Sequence, residues 1–101
     1  MNTYGDRLRT IVNGYRLAIG PGRVERCDPN SVEHYGEQRD AHVRWMLQAL
    51  NADTPVFRAM RWLCFVQGVL WTLGRLSVDE ARRDILELLE ENRRVQREPV
   101  S

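Results

Sequence analysis

The sequence predicts an all-α protein: a small four-helix domain over residues 1–101, with a central apolar helix at about residues 55–73. Three observations carry this. Apolar residues recur at spacings of three and four along most of the chain. No run alternates at period two over a useful length, so nothing reads as a strand. Gly and Pro divide the chain into four segments without an internal repeat. A length of 101 residues suits one domain, and an apolar fraction of 43% suits a folded one. A core of this size is thin, and a homo-oligomer is its expected supplement.

The first helix is expected from about Thr3 to Ile19, where Tyr4, Leu8, Ile11, Tyr15 and Ala18 share a face. Gly20-Pro21-Gly22 ends it, because Gly accepts a left-handed cap and Pro cannot continue the helix. Residues Arg23 to Asp28 are polar and read as a loop. The second helix is expected to open at Asp28-Pro29, with Asp28 as N-cap and Pro29 in the first turn. Val32, Tyr35, Val43, Met46 and Leu50 form its apolar stripe, with a gap at Arg39. Glu33, Glu37, Asp40 and Arg44 form a solvated face.

Thr54-Pro55 repeats the cap-then-proline start and opens the third helix, which Gly74 stops. Ser77-Val78-Asp79-Glu80 is a capping box opening the fourth helix, with Leu76 placed to staple onto Ala81. Ala81, Ile85, Leu88, Leu89 and Val95 are its expected core face, and the tail from about residue 97 is expected to fray. The third helix differs from the rest. Met60, Leu63, Val66, Leu70 and Leu73 make one apolar face, yet Cys64, Phe65, Gly68, Trp71 and Thr72 occupy the other. A helix apolar nearly all round is either wrapped by its neighbours or exposes one side to a partner.

Charge narrows the functional classes. There are 15 basic and 14 acidic residues, and every basic residue is Arg. The absence of Lys reads as a GC-rich coding bias, although the guanidinium fork also suits phosphate and carboxylate recognition. The Arg residues are spread evenly, without the basic stripe of a nucleic-acid binder, so nonspecific nucleic-acid binding is not expected. The apolar stretch around Gln67 is too short for a membrane span, and no membrane partner is expected. No secretory leader is legible from Met1 onward, so a reducing cytosol is the expected location, and a disulfide between Cys27 and Cys64 is possible but has no support in the sequence.

Catalytic patterns are absent or weak. Ser31 and Ser77 hold cap positions with no His pattern beside them. His34 and His42 are not a metal-spaced pair, and neither are the cysteines. No metal or other cofactor is expected. Glu87, Glu90 and Glu91 with Glu33 and Glu37 imitate, at most, the carboxylate cluster of an all-helical magnesium-dependent nucleotide hydrolase. Arg93, Arg94 and Arg97 suit the negative end of the fourth helix dipole. Gly20-Pro21-Gly22-Arg23 reads either as a plain helix stop or as an anion nest, with Arg23 and Arg26 as possible phosphate contacts. In the stretch RWLCFVQGVLW, residues 61–71, the pair Gln67-Gly68 admits three readings. It serves packing against another helix, or self-association with Trp71 at the contact, or a small-ligand pocket in which Trp71 or Trp62 stacks. In each, the buried amide needs a hydrogen-bond partner.

Arg61-Trp62-Leu63, Phe65, Gln67-Gly68-Val69-Leu70-Trp71, Gly74 and Ser77-Val78-Asp79-Glu80 resemble a motif of small helical proteins encoded by bacteriophages and prophages. In that group a run close to RWLGFIQGVLW precedes a Gly and a helix start of the form [ST]-[IV]-[DE]-E. Cys64 stands where that group carries Gly. The resemblance implies a phage accessory protein acting in the host cytoplasm, and it transfers no catalytic residue. The expected function is non-enzymatic, stoichiometric binding of a host protein, as an anti-CRISPR or other counter-defence inhibitor. An oligomeric sponge for a phosphate-bearing cyclic nucleotide is the alternative, and the hydrolase comes third. The candidate binding residues are Arg61, Gln67, Gly68, Trp71 and Arg75.

Overall fold

Each helix ends where its local chemistry changes. The computed structural model describes residues 3–28, 30–31 and 35–97. Within them α1 spans Thr3–Ile19, α2 Gly36–Ala49, α3 Val56–Thr72 and α4 Val78–Arg97. The protein is thus an all-α, four-helix domain, with no strand among the described residues. Of the expected α1 face, Tyr4, Leu8, Ile11 and Tyr15 are buried and Ala18 partly so, and Val12 and Ile19 widen the buried side. At its end the Gly20 N–H donates to the Arg16 carbonyl, and two guanidinium groups take the free carbonyls. Arg75 donates to the carbonyls of Ala18 and Ile19, and Arg44 to that of Gly20. Cations there meet the negative end of the helix dipole.

The second helix starts at Gly36 and not at Asp28-Pro29. The Asp28 carboxylate accepts the Asn30 N–H, and the Asp28 carbonyl accepts the Ser31 N–H, so Asp28 closes a local turn instead of capping a helix. Upstream, the chain runs alongside α2: Glu25 donates to the Ala41 carbonyl and the Cys27 N–H donates to His42 Nδ1. Gly36 has φ 51°, which interrupts any helix entering from before it. Tyr35 is consequently exposed, whereas Ala41, Val43, Met46, Leu47 and Leu50 are buried. Pro29, Val32, Glu33 and His34 lie outside the described residues.

Thr54 does not cap α3. Its hydroxyl accepts the Asn51 N–H within the turn, and its carbonyl accepts the Tyr4 hydroxyl at 2.7 Å, which ties the turn to α1. Pro55 takes the N-cap position, with no side chain capping the helix. At the other end Arg75 N–H reaches the Leu70 carbonyl and Gly74 N–H the Trp71 carbonyl, with Gly74 at φ 73°. This is the Schellman arrangement that the glycine predicts. The Ser77 half of the capping box forms: the Glu80 N–H donates to Ser77 Oγ at 3.1 Å, while the Glu80 carboxylate accepts from that hydroxyl instead of from the Ser77 N–H. On α4, Leu88 is fully buried and Ile85 partly, whereas Val95 is exposed. The helix continues to Arg97, and residues 98–101 lie outside the described ones.

The core gathers Leu8 from α1, Val43 and Leu47 from α2, Leu63, Val66 and Leu70 from α3, and Leu88 from α4, all fully buried. α1 packs against the other three helices, and α3 packs against α1 and α4. So α3 carries the middle of the core along one side and is open along the other. Its neighbours in the chain therefore do not wrap it on every side.

Candidate functional site

Gln67 points inward. Its amide nitrogen donates to the Tyr15 hydroxyl at 2.8 Å and to the Ala81 carbonyl at 3.0 Å. The Tyr15 hydroxyl in turn donates to the Asp84 carboxylate at 2.7 Å. One amide therefore joins α1, α3 and α4, and both of its acceptors belong to its own chain. Burial, and then the Asp84 carboxylate, hold the Tyr15 hydroxyl well above the usual tyrosine range. The network is a structural lock: the Gln67 amide nitrogen and the Tyr15 hydroxyl are both engaged within the chain, and none of its four residues lines the five main surface depressions among the described residues.

Gly68 behaves differently from the packing expectation. It is exposed, and a Cβ built there would meet nothing within 4 Å. Among the described residues, no other helix comes within contact of that position. The outer side of α3 instead carries a strip of large apolar groups. Phe57 is 75% exposed, Phe65 53% and Trp71 60%, with Arg61, Cys64 and Gly68 exposed between them. Phe57, Arg61, Cys64, Gly68 and Trp71 follow each other at steps of four and three, which places them in one row on a helix. Among the candidate residues, Arg61, Gly68 and Trp71 thus fall together on this strip, and Gln67 lies behind it.

The strip is flanked on the α2 side by a packed aromatic cluster. His42 stacks on Trp45 with ring centroids 5.7 Å apart, Phe65 meets His42 edge-on, and Trp45 contacts Trp62. Trp45 and Trp62 are half-buried anchors. Phe65 is shared, with one edge on His42 and the remainder in solvent.

The other candidate cations have partners within the chain. Arg75 caps α1. Arg23 pairs with Glu25 at 3.1 Å, and Arg26 lies 5.1 Å over the Trp45 ring. Arg23 and Arg26 do line a shared depression of about 290 Å³, but Glu25 and Asp28 line it too and oppose an anion. The Gly20–Arg23 loop presents carbonyls to Arg44 rather than N–H groups to a phosphate. The α4 carboxylates are likewise engaged: Glu87 with Arg7 at 3.3 Å, Glu90 with Arg93 and Glu91 with Arg94. No three His, Cys, Asp or Glu side chains among the described residues form a metal-holding group. Cys27 and Cys64 are free thiols, and no described helix is long and apolar enough to cross a membrane.

Sequence reasoning passed over Phe57. Its signal was present, since Phe57 continues the row of Cys64 and Trp71 one heptad earlier, but it lies outside the conspicuous apolar run. No protein-family model, curated protein or solved structure matches the chain.

Proposed function

We propose that this protein is a non-enzymatic binding protein that engages a host macromolecule stoichiometrically through the outer side of α3. The supporting observation is the Phe57–Phe65–Trp71 strip. Aromatic and Arg side chains dominate binding hot spots, and a solvent-exposed row of two Phe, one Trp and an Arg has that composition. Its context, a phage accessory protein that counters a host defence in the bacterial cytoplasm, follows the motif resemblance around residues 61–80. Nucleotide sequestration has less support, because Arg23, Arg26 and Arg75 are each occupied within the chain.

The test is affinity capture from lysate of a GC-rich host bacterium with the wild-type chain and with Phe57→Glu, whose side chain lies mostly in solvent. The expected result is a host protein recovered near one-to-one by the wild type and lost with the variant at unchanged melting temperature. Recovery that is equal for both chains overturns the assignment to this strip.

A further inference from the structure

The strip is symmetric about its midpoint. Phe57 and Trp71 each stand seven residues from Cys64, or about two helical turns. Arg61 and Gly68 stand three and four residues from it, on opposite sides. We propose that in the free protein this strip is covered by the same strip of a second copy, with the two α3 helices antiparallel about a two-fold axis at Cys64. Under that operation Phe57 meets the second copy's Trp71, both thiols of Cys64 face each other across the axis, and the Arg61 stem lies over the second copy's Gly68. A self-complementary patch of this kind is what a two-fold interface requires.

Each pairing has a physical reason. Phe and Trp are among the ring pairs that stabilise beyond their buried area. Gly68 leaves a notch with nothing within 4 Å, so the long Arg61 side chain can lie across it without displacing α3. Helix α3 carries Arg58 and Arg61 and no carboxylate, and its midpoint holds the uncharged Cys64, so no charge is buried at the axis. The area is adequate but not large. The three exposed aromatic groups present roughly 400 Å² per copy, given full side-chain areas of about 150–250 Å². With Cys64, Gly68, Thr72 and the Arg stems, two copies approach the lower end of the about 1,200–2,000 Å² that specific interfaces bury. A reversible dimer, populated at micromolar and higher concentrations, is the corresponding expectation.

The inference rests on the strip being a docking face, but it separates from the host-target reading in experiment. Sedimentation velocity over about 1–200 μM should show the full chain passing from monomer to dimer. Trp71→Glu and Gly68→Leu should each shift that transition at least tenfold upward with the melting temperature kept. Gly68→Leu discriminates best, because the monomer has open space for the new side chain. In a Cys27→Ser background, two helices about 9–10 Å apart, each with its Cα atoms about 2.3 Å from its axis, would place the facing Cys64 Cα atoms roughly 4.5–5.5 Å from each other, within disulfide reach. Diamide, by accepting the two thiol hydrogens, should then link the dimer through Cys64. A chain that stays monomeric at 200 μM overturns the proposal, as does a dimer that Gly68→Leu and Trp71→Glu leave intact or that Cys64 does not link. A monomer that still captures a host protein would sink this inference alone, and a dimer that captures nothing would sink only the reading above.

Discussion

Gln67→Leu and Gln67→Glu separate a lock within the chain from a contact between chains. In Gln67→Leu no group is stranded. Tyr15 still donates to Asp84, and the Ala81 carbonyl still accepts within the α4 ladder. The loss is then the net value of two hydrogen bonds, about 0.5–1.5 kcal/mol each. Greater burial of carbon returns part of it, leaving a destabilisation of about 1–2 kcal/mol. For a domain of this size that lowers Tm by roughly 5–15 °C. Gln67→Glu has the same shape but, when ionised, offers only acceptors to the Ala81 carbonyl and to Tyr15. An uncompensated carboxylate there costs about 3–5 kcal/mol at neutral pH and should be partly relieved on acidification, when it can donate again. Urea unfolding of both variants, followed by circular dichroism at pH 5 and 7.5, measures this. If Gln67→Leu keeps full stability and loses the dimer, the amide bonds a neighbouring copy and the reasoning fails.

Two more outcomes follow from the same geometry. Because Tyr15 and Tyr4 are held above the ordinary tyrosine value of 10, the fold favours their neutral forms. Their contribution is complete below about pH 10 and is lost as pH rises above it, by about 1.4 kcal/mol per pH unit for each proton. The chain has no Lys to titrate alongside. Tyr15→Phe should therefore make stability fall less steeply with pH above about 10, in urea titrations at stepped pH; an unchanged slope refutes it. At the end of α1, a Cβ on Gly22 would stand 2.5 Å from the Arg44 guanidinium, which bonds the Gly20 and Arg23 carbonyls. The guanidinium can swing away, so Gly22→Ala costs those bonds, about 1–2 kcal/mol, on top of the backbone strain of a side chain at φ 159°. In a double-mutant cycle, Gly22→Ala and Arg44→Ala should then cost much less together than the sum of the two, and simple additivity refutes the link.

Helix ends were legible where the signal is local. Gly20, Gly74 and the Ser77–Glu80 box act on backbone groups within a few residues, so α1, the end of α3 and the start of α4 fall where the sequence places them. Asp28-Pro29 and Thr54-Pro55 carry a similarly good local signal and mislead, because tertiary partners compete for the same groups. Residues 25 and 27 are pinned to Ala41 and His42, and the Thr54 carbonyl is held by Tyr4. The sequence required a partner for Gln67 but could not identify Tyr15 and Ala81, which lie 52 and 14 residues away. Nor could it choose which side of α3 is buried, since a helix apolar on both sides has little periodicity to read.

Both sides of α3 are apolar, and the buried side also carries a polar group. The buried side sets the helix's one amide side chain, bonded to Tyr15 and Ala81, among Leu63, Val66 and Leu70, while the solvent side holds Phe57, Phe65 and Trp71. Folding alone explains the first and not the second. Truncating Phe57 or Trp71 would remove little from the core, because most of each lies outside it, and a polar side chain in either place would serve the isolated helix as well. A contiguous apolar patch of several hundred Å² is a liability for solubility unless something covers it. Trp62, nine residues from Trp71 on the same helix, shows the alternative, packed against Trp45 and partly buried. The difference between these two Trp residues marks where this chain's own packing stops and where a second molecule is expected to begin.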